Sequence, residues 1–226
     1  MDKTKQLSCP LCKSSEFSPH FKNKQRKFFC CVVCNLVFVP ANQHLSKKEE
    51  KTIYDLHQND PFDEDYRYFL SRLTIPMIRR LNPGDWGLDF GCGPGPALAE
   101  MMKENGFKVD LYDPIYHNNT QALNKSYDFV CCTEVVEHFR TPAQDISLLF
   151  SMLKPGGWLG IMTKLTRDRE AFKNWHYKND LTHVCFYSRT TFNWLAKKFK
   201  SSVEYHGSDV IIFKTNEQDL HKSLSS

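Results

Sequence analysis

No stretch of the 226-residue sequence is apolar for long enough to span a bilayer. The first ten residues, Met1 to Pro10, are polar and lack the apolar segment of a secretory signal. A membrane partner and an exported chain are both unexpected. Also missing is any dense run of one charge. The 30 Lys and Arg against 26 Asp and Glu leave +4, spread along the chain, so no basic tract marks a nucleic-acid binder. Internal repeats and low-complexity segments are absent, and the composition is that of a globular chain, 41% hydrophobic and 25% charged. What is abundant is cysteine. Nine of them without an export signal point to metal binding and buried thiols in the cytosol rather than disulfides.

Three zones follow one another. Residues 1–45 carry paired cysteines with short β segments at Lys27–Phe29 and Leu36–Val39. Residues 46–82 predict helices, one capped by Ser46 and one from Asp63 through Leu81 that Pro76 should kink or divide. From 83 to 216, short apolar runs alternate with amphipathic helices, which predicts an α/β fold on a parallel sheet. Strands are expected at Trp86–Phe90, Lys108–Tyr112, Phe129–Cys132 and Trp158–Thr163, and a terminal hairpin at Val203–Tyr205 and Asp209–Lys214. Helices are expected at Ala97–Asn105, Thr141–Leu153 and Ser188–Phe199, with Thr141 and Ser188 as caps and Lys154-Pro155-Gly156-Gly157 as a stop and turn. Residues 217–226 predict a flexible tail.

Leu88-Asp89-Phe90-Gly91-Cys92-Gly93-Pro94-Gly95 lies where a strand hands over to a helix. The three glycines permit a sharp turn and close backbone approach to a ligand. Their G-x-G-x-G spacing differs from the dinucleotide fingerprint G-x-G-x-x-G. An acid, Asp113, ends the next strand about 20 residues on, where nucleotide sites of this architecture bind ribose hydroxyls. Together with Leu153-Lys154-Pro155-Gly156-Gly157, these landmarks resemble the class I S-adenosylmethionine-dependent methyltransferases. The resemblance covers about 83–213. It implies a Rossmann-like sheet with a terminal antiparallel hairpin, and a cofactor, S-adenosylmethionine, bordered by Asp89, Gly91, Cys92, Gly93, Gly95, Asp113, Thr133 and Glu134. The segment from Pro114 to Tyr127 is short for a third strand. No Asn-Pro-Pro-aromatic segment follows Cys132, which argues against N-methylation of adenine or glutamine.

Thr133-Glu134-Val135-Val136-Glu137-His138-Phe139, read as a short helix, puts Glu134, Glu137 and His138 on one face. Two carboxylates beside an imidazole repel one another unless a cation lies among them. The segment resembles the ubiquinone-biosynthesis O-methyltransferases and the small-RNA 3′-terminal 2′-O-methyltransferases. The RNA branch adds a histidine in a segment of the form His183-Val184-Cys185-Phe186-Tyr187-Ser188, which implies Glu134, Glu137, His138 and His183 as ligands of Mg²⁺ or Mn²⁺. The alternative is that the motif only borders the cofactor and His138 or His183 acts as general base. Glu137, His138 and His183 are the catalytic candidates. Trp175-His176-Tyr177 lies in a long connection expected to cover the substrate, where Asp180 either caps a turn or orients His183.

Cys9-Pro10-Leu11-Cys12 and Cys31-Val32-Val33-Cys34, eighteen residues apart, predict a four-thiolate Zn²⁺ site in a small N-terminal zinc ribbon. Cys30 is an alternative to Cys31, and Asn35 suits a left-handed turn. Cys92, Cys131 and Cys132 read as packing thiols. A small-molecule hydroxyl is the favoured acceptor. RNA docked through the zinc module is a second reading, because the module resembles the N-terminal zinc module of ribosomal-RNA guanine methyltransferases; some sugar methyltransferases carry one as well. A non-catalytic cofactor-binding protein is a third. Nothing in the sequence sets the oligomeric state.

Overall fold

A computed structural model describes residues 7–56 and 60–217. The expected tail thus lies, but for Glu217, outside the described residues.

The N-terminal segment forms strands β1 (Phe17–Lys22), β2 (Lys27–Cys31) and β3 (Val37–Phe38). Helix α1 (Lys47–Tyr54) opens on a capping box in which Ser46 and Glu49 bond each other's backbone N–H. Helix α2 (Glu64–Ile78) is capped by Asp63 and runs through Pro76 as one helix, so of the expected kink or division the division does not occur. Proline falls in the last turn, where little helix remains to be disrupted.

The larger unit continues as β4 (Trp86–Phe90), α3 (Ala97–Glu104), β5 (Lys108–Tyr112), β6 (Tyr127–Thr133), α4 (Pro142–Ser151) and β7 (Leu153–Met162). After it come α5 (Arg169–Asn174), β8 (Cys185–Phe186), α6 (Arg189–Lys198), β9 (Ser202–His206) and β10 (Val210–Lys214). The six-stranded sheet runs β5-β4-β6-β7-β10-β9, with the first four parallel and β10 antiparallel to both neighbours. Central β6 is apolar on both faces, as a strand covered by helices must be, and Phe129, Val130, Cys131 and Cys132 are fully buried. Phe129 and Val130 each contribute roughly 1.5–3 kcal/mol. Helix α2 packs closely on β7 because Gly160 has no Cβ, which would sit 2.9 Å from both Leu73 and Met77.

Between β5 and β6 there is no third strand. Asp113 and His117 exchange two backbone bonds across a tight turn, and a 3₁₀ turn covers 120–124. Two other local expectations need correction. Thr141 stands at the start of α4 but its hydroxyl makes no cap; it donates to Asp145 Oδ2 at 3.0 Å. Lys154–Gly157 stops the helix but forms no separate turn. It bulges within β7, where Tyr127 pairs with Leu153 and Phe129 with Trp158.

The sequence reading missed β1 and β8. A second sheet runs β1-β2-β3-β8, so its fourth strand comes from residues 185–186. Rings of Phe28, Phe172 and Phe186 meet beneath it with centroids 5.3–5.8 Å apart.

Candidate functional site

The glycine turn leaves the end of β4. Gly91 and Gly93 have φ of 77° and 64°, a region open to glycine. The N–H groups of Gly91 and Cys92 donate to Tyr112 O at 2.7 and 3.3 Å. The Asp113 carboxylate accepts from the N–H groups of Gly93, Ile115 and Tyr116 at 3.1, 2.8 and 3.0 Å. The turn and the end of β5 therefore form one rigid rim. Asp89 is buried beside it, and burial, reinforced by the nearby Asp113 charge, pushes its carboxyl up to about 7. Burial also raises the Cys92 thiol, consistent with packing. Gly95 precedes α3, whose Ala97 N–H bonds to the Gly95 carbonyl. At the end of neighbouring β6, Thr133 Oγ1 and Glu134 Oε1 are buried without a hydrogen-bond partner among the described residues. A buried acid and two orphaned oxygens beside the glycine turn fit a ligand that bears an ammonium group and hydroxyls.

The acid–imidazole segment is no regular helix. Glu134 is left-handed, with φ of 52°, and only Val136–His138 form a 3₁₀ turn. A short 3₁₀ turn does not keep the one-face spacing expected of an α-helix. Glu137, His138 and His183 nevertheless converge, with one ligand atom of each within 4.8 Å of the others. Glu134 stands beside this group. The Tyr177 hydroxyl links it, lying 3.2 Å from Glu134 Oε2 and bonding Glu137 Oε1. Thr163 Oγ1 donates to Glu137 Oε2 at 3.0 Å. Burial foremost pushes both carboxyls up, and for Glu134 the neighbouring Glu137 charge adds to it.

Both imidazoles are oriented by carbonyls. His183 Nδ1 lies 2.8 Å from Tyr177 O and His138 Nδ1 lies 3.2 Å from Thr182 O. A carbonyl only accepts, so each Nδ1 carries a proton, and in the neutral His183 ring Nε2 bears the lone pair. Burial, then the His138 charge, lowers His183 to about 4, which keeps the ring neutral. Asp180 takes the turn role, and its other oxygen lies beyond hydrogen-bond reach of the His183 ring. Its Oδ1 accepts from Thr182 N and Oγ1 at 2.8 and 2.6 Å, and its Oδ2 lies 3.6 Å from His183 Nε2. Carboxylates and neutral imidazoles, rich in lone pairs, are the donor chemistry of a divalent cation. Glu137, His138 and His183 could hold one, with Glu134 adjacent.

The four cysteines Cys9, Cys12, Cys31 and Cys34 form a second group with the same closeness. Cys9 and Cys34 sulfurs lie 3.6 Å apart and Cys12 and Cys31 sulfurs 3.4 Å apart. Tetrahedral zinc, with bonds of about 2.3 Å, spaces its sulfurs by roughly 3.8 Å. The two halves repeat one turn. Lys13 N donates to Cys9 O and Asn35 N to Cys31 O, both at 3.0 Å, and both donors are left-handed. Cys30 lies outside the group; its sulfur turns to Asn35 Oδ1 at 3.7 Å.

Tyr177, Thr163 and Arg26 were not singled out in the sequence. Tyr177 stood in a segment read only as a cover, and no local pattern marks the other two. Among the described residues, no helix is long and apolar enough to cross a membrane.

A profile of the methyltransferase-domain family matches residues 62–202. Over 86 residues the chain is 31% identical to the ubiquinone biosynthesis O-methyltransferase of Saccharophagus degradans, covering 38% of this chain and 36% of the relative. Across the first curated relatives it matches, the chain spans 21% to 36% of their length. Among solved structures, a SAM-dependent methyltransferase from Archaeoglobus fulgidus aligns with a TM-score of 0.51 at 17% identity, covering 66% of this chain and 94% of its own. The 1,6-didemethyltoxoflavin-N1-methyltransferase of Burkholderia thailandensis, solved with its substrate and S-adenosylhomocysteine, aligns with a TM-score of 0.50 at 12% identity, covering 88% and 99%. At these identities the structural likeness is one of fold.

Proposed function

Because the chain belongs to the methyltransferase-domain family, we propose that it is an S-adenosylmethionine-dependent methyltransferase that acts on a hydroxyl oxygen of a small molecule, at a divalent-cation site made by Glu137, His138 and His183 with Glu134 beside them. The observation that carries the reading is the convergence of those three ligand atoms within 4.8 Å. Likeness to an O-methyltransferase of ubiquinone biosynthesis supports oxygen as the acceptor.

In this reading Asp89 accepts from the cofactor's ammonium group and Asp113 from its ribose hydroxyls, while Gly91, Cys92, Gly93 and Gly95 border the methionine portion and Thr133 and Glu134 close the strand end. A bound Mg²⁺ or Mn²⁺ supplies a lowered pKa for the acceptor hydroxyl. Tyr177 and Thr163 fix the Glu137 carboxylate, and the two carbonyl-oriented imidazoles fix the remaining donors. The acceptor oxygen forms the C–O bond as the sulfonium C–S bond breaks, S-adenosylhomocysteine departs, and the hydroxyl proton passes to solvent. Without a cation, the proton passes instead to His138 or His183 as general base.

Zn²⁺ on the four cysteines is read as structural, since a closed tetrahedral site leaves no position for chemistry. Nine cysteines with no disulfide among the described residues favour the cytosol. One observation favours RNA as an alternative acceptor. An open groove of about 480 Å³ beside the cysteine module has His20, Phe21 and Phe29 together with Lys22, Lys27, Arg169 and Lys173 among its lining residues. Aromatic faces between cations are the footprint of single-stranded nucleic acid.

The test is transfer of labelled methyl from S-adenosylmethionine into a fractionated cell extract, with chelator or added Mg²⁺ and a Glu137→Ala control. Label in small molecules, lost on chelation and in the variant, is the expected result. Label in RNA overturns the substrate, and label indifferent to chelator overturns the cation.

A further inference from the structure

The turn closing the first hairpin aims a buried guanidinium at the loop that carries the acid–imidazole site. Asn23 Oδ1 accepts from the N–H groups of Gln25 and Arg26 at 2.9 and 2.7 Å, which sets the turn. Arg26 is only 4% exposed. Its Nη1 donates to Leu181 O at 3.2 Å and His183 O at 2.8 Å, and its Nη2 donates to Asp180 O at 2.7 Å and to Lys178 O. Nε alone has no acceptor among the described residues. The four carbonyls belong to residues 178–183, which leave a short 3₁₀ turn and enter no sheet ladder before β8. Buried carbonyls need donors, and here one side chain from the other end of the sequence supplies them.

This clamp sits directly behind the reacting groups. Tyr177 precedes the clamped segment and His183 ends it. His183 N donates to Asp180 O at 3.3 Å and Val184 N to Glu137 O at 2.8 Å, so the loop closes against Glu137. The planar fork of arginine reaches several carbonyls at once, whereas a lysine ammonium is a point charge on a flexible stem. Burying the guanidinium is costly, and burial lowers its pKa while the Asp180 charge offsets the effect. The cost is incurred for a loop that has no regular structure of its own.

We propose that Arg26 is a positioning residue for the methyl-transfer site, holding residues 178–183 in the curve that sets Tyr177 and His183 against Glu137. The consequence is that the cysteine module completes the site without touching substrate or cofactor. This rests on the reading of Glu137, His138 and His183 as the reacting site.

The experiment is amide hydrogen exchange on the full chain and on Arg26→Gln, Arg26→Lys and His183→Ala variants, beside titrations with S-adenosylmethionine and with Mn²⁺. In Arg26→Gln the amides of Thr182, His183 and Val184 should exchange at least about tenfold faster, while the amides of β4 and β6 stay protected. Cofactor affinity should change less than Mn²⁺ affinity, since of the residues bordering the cofactor only Glu134 is reached from the clamped segment, through Tyr177. Mn²⁺ affinity should fall about 10- to 100-fold, as for loss of an outer-shell partner. Arg26→Lys should restore only part of the protection. Unchanged exchange at 182–184 in Arg26→Gln overturns the proposal. Failure of the unaltered chain to take up Mn²⁺ sinks the cation reading instead, and the exchange rates still decide the role of Arg26.

Discussion

The guanidinium of Arg26 donates a 2.8 Å hydrogen bond to the backbone oxygen of His183, 157 residues further along the chain. It ties the cysteine group to the acid–imidazole group, because Arg26 ends the turn that feeds β2, and β2 carries Cys31.

Zinc removal should therefore act at a distance. A structural zinc contributes on the order of 10 kcal/mol to so small a unit. Metal analysis of the purified chain should give one zinc per molecule. Stripping it with a strong chelator, or substituting Cys12→Ser, should speed exchange at 178–184 while amides of β4 and β6 remain slow. Retained protection at 178–184 in the zinc-free chain would contradict this.

Cofactor affinity should depend on pH through Asp89, whose carboxyl sits near 7 in the cofactor-free chain. The ammonium of the cofactor requires the carboxylate, so affinity should rise by up to about tenfold per unit between pH 5 and 7 and then level off. It should fall again only as the cofactor's α-amino group, ordinarily about 7.7–8.0, loses its proton. For the free chain the sign is opposite. A carboxyl raised from 3.8 stabilises the fold below that value and loses the contribution as pH climbs through 7. Calorimetric titration should show the slope, and Asp89→Asn should flatten it.

Gly91→Ala should impair both stability and cofactor binding. The left-handed φ of 77° costs a Cβ about 1–2 kcal/mol, and that Cβ would lie 2.4 Å from Val135 Cγ2. Adding Val135→Ala should relieve the collision but not the backbone cost. Thermal unfolding of the two single variants and the double should give a favourable coupling. Simple additivity would show that the two residues do not meet.

Tyr177→Phe should destabilise the chain by about 1–3 kcal/mol at neutral pH, because Glu137 Oε1 loses a donor inside the protein. Thr163 still serves the other oxygen, so the fold should survive. Urea unfolding against the unaltered protein measures the difference, and an equal midpoint would show that the hydroxyl carries no net stabilisation.

Local chemistry made much of the molecule legible. The glycine turn with Asp89, the strand-ending Asp113, the cysteine pairs and the Ser46 cap each write their conformation within a few residues, and the structure repeats them. So does the shortfall between β5 and β6, where a length argument sufficed. What escaped depends on partners far away in sequence. Two-residue β8 forms because β3 offers it an edge, and Arg26 looks like any surface arginine until the carbonyls of 178–183 are placed around it. The left-handed Glu134 was hidden for another reason. Helical spacing of Glu134, Glu137 and His138 is a real pattern, but Val135 must fill the space over Gly91, and the backbone turns aside to let it.

The pairing of β3 with β8 has an evolutionary corollary. A recombination event that transplanted residues 7–45 onto another chain would carry away β8's neighbour and strip cover from the Phe172 and Phe186 rings, while giving the recipient a buried arginine with no carbonyls to meet. Moved as a cassette, the module would lose both contacts. Descendants of this chain must inherit both ends together, and a drift in Arg26 should be matched by change within 178–183.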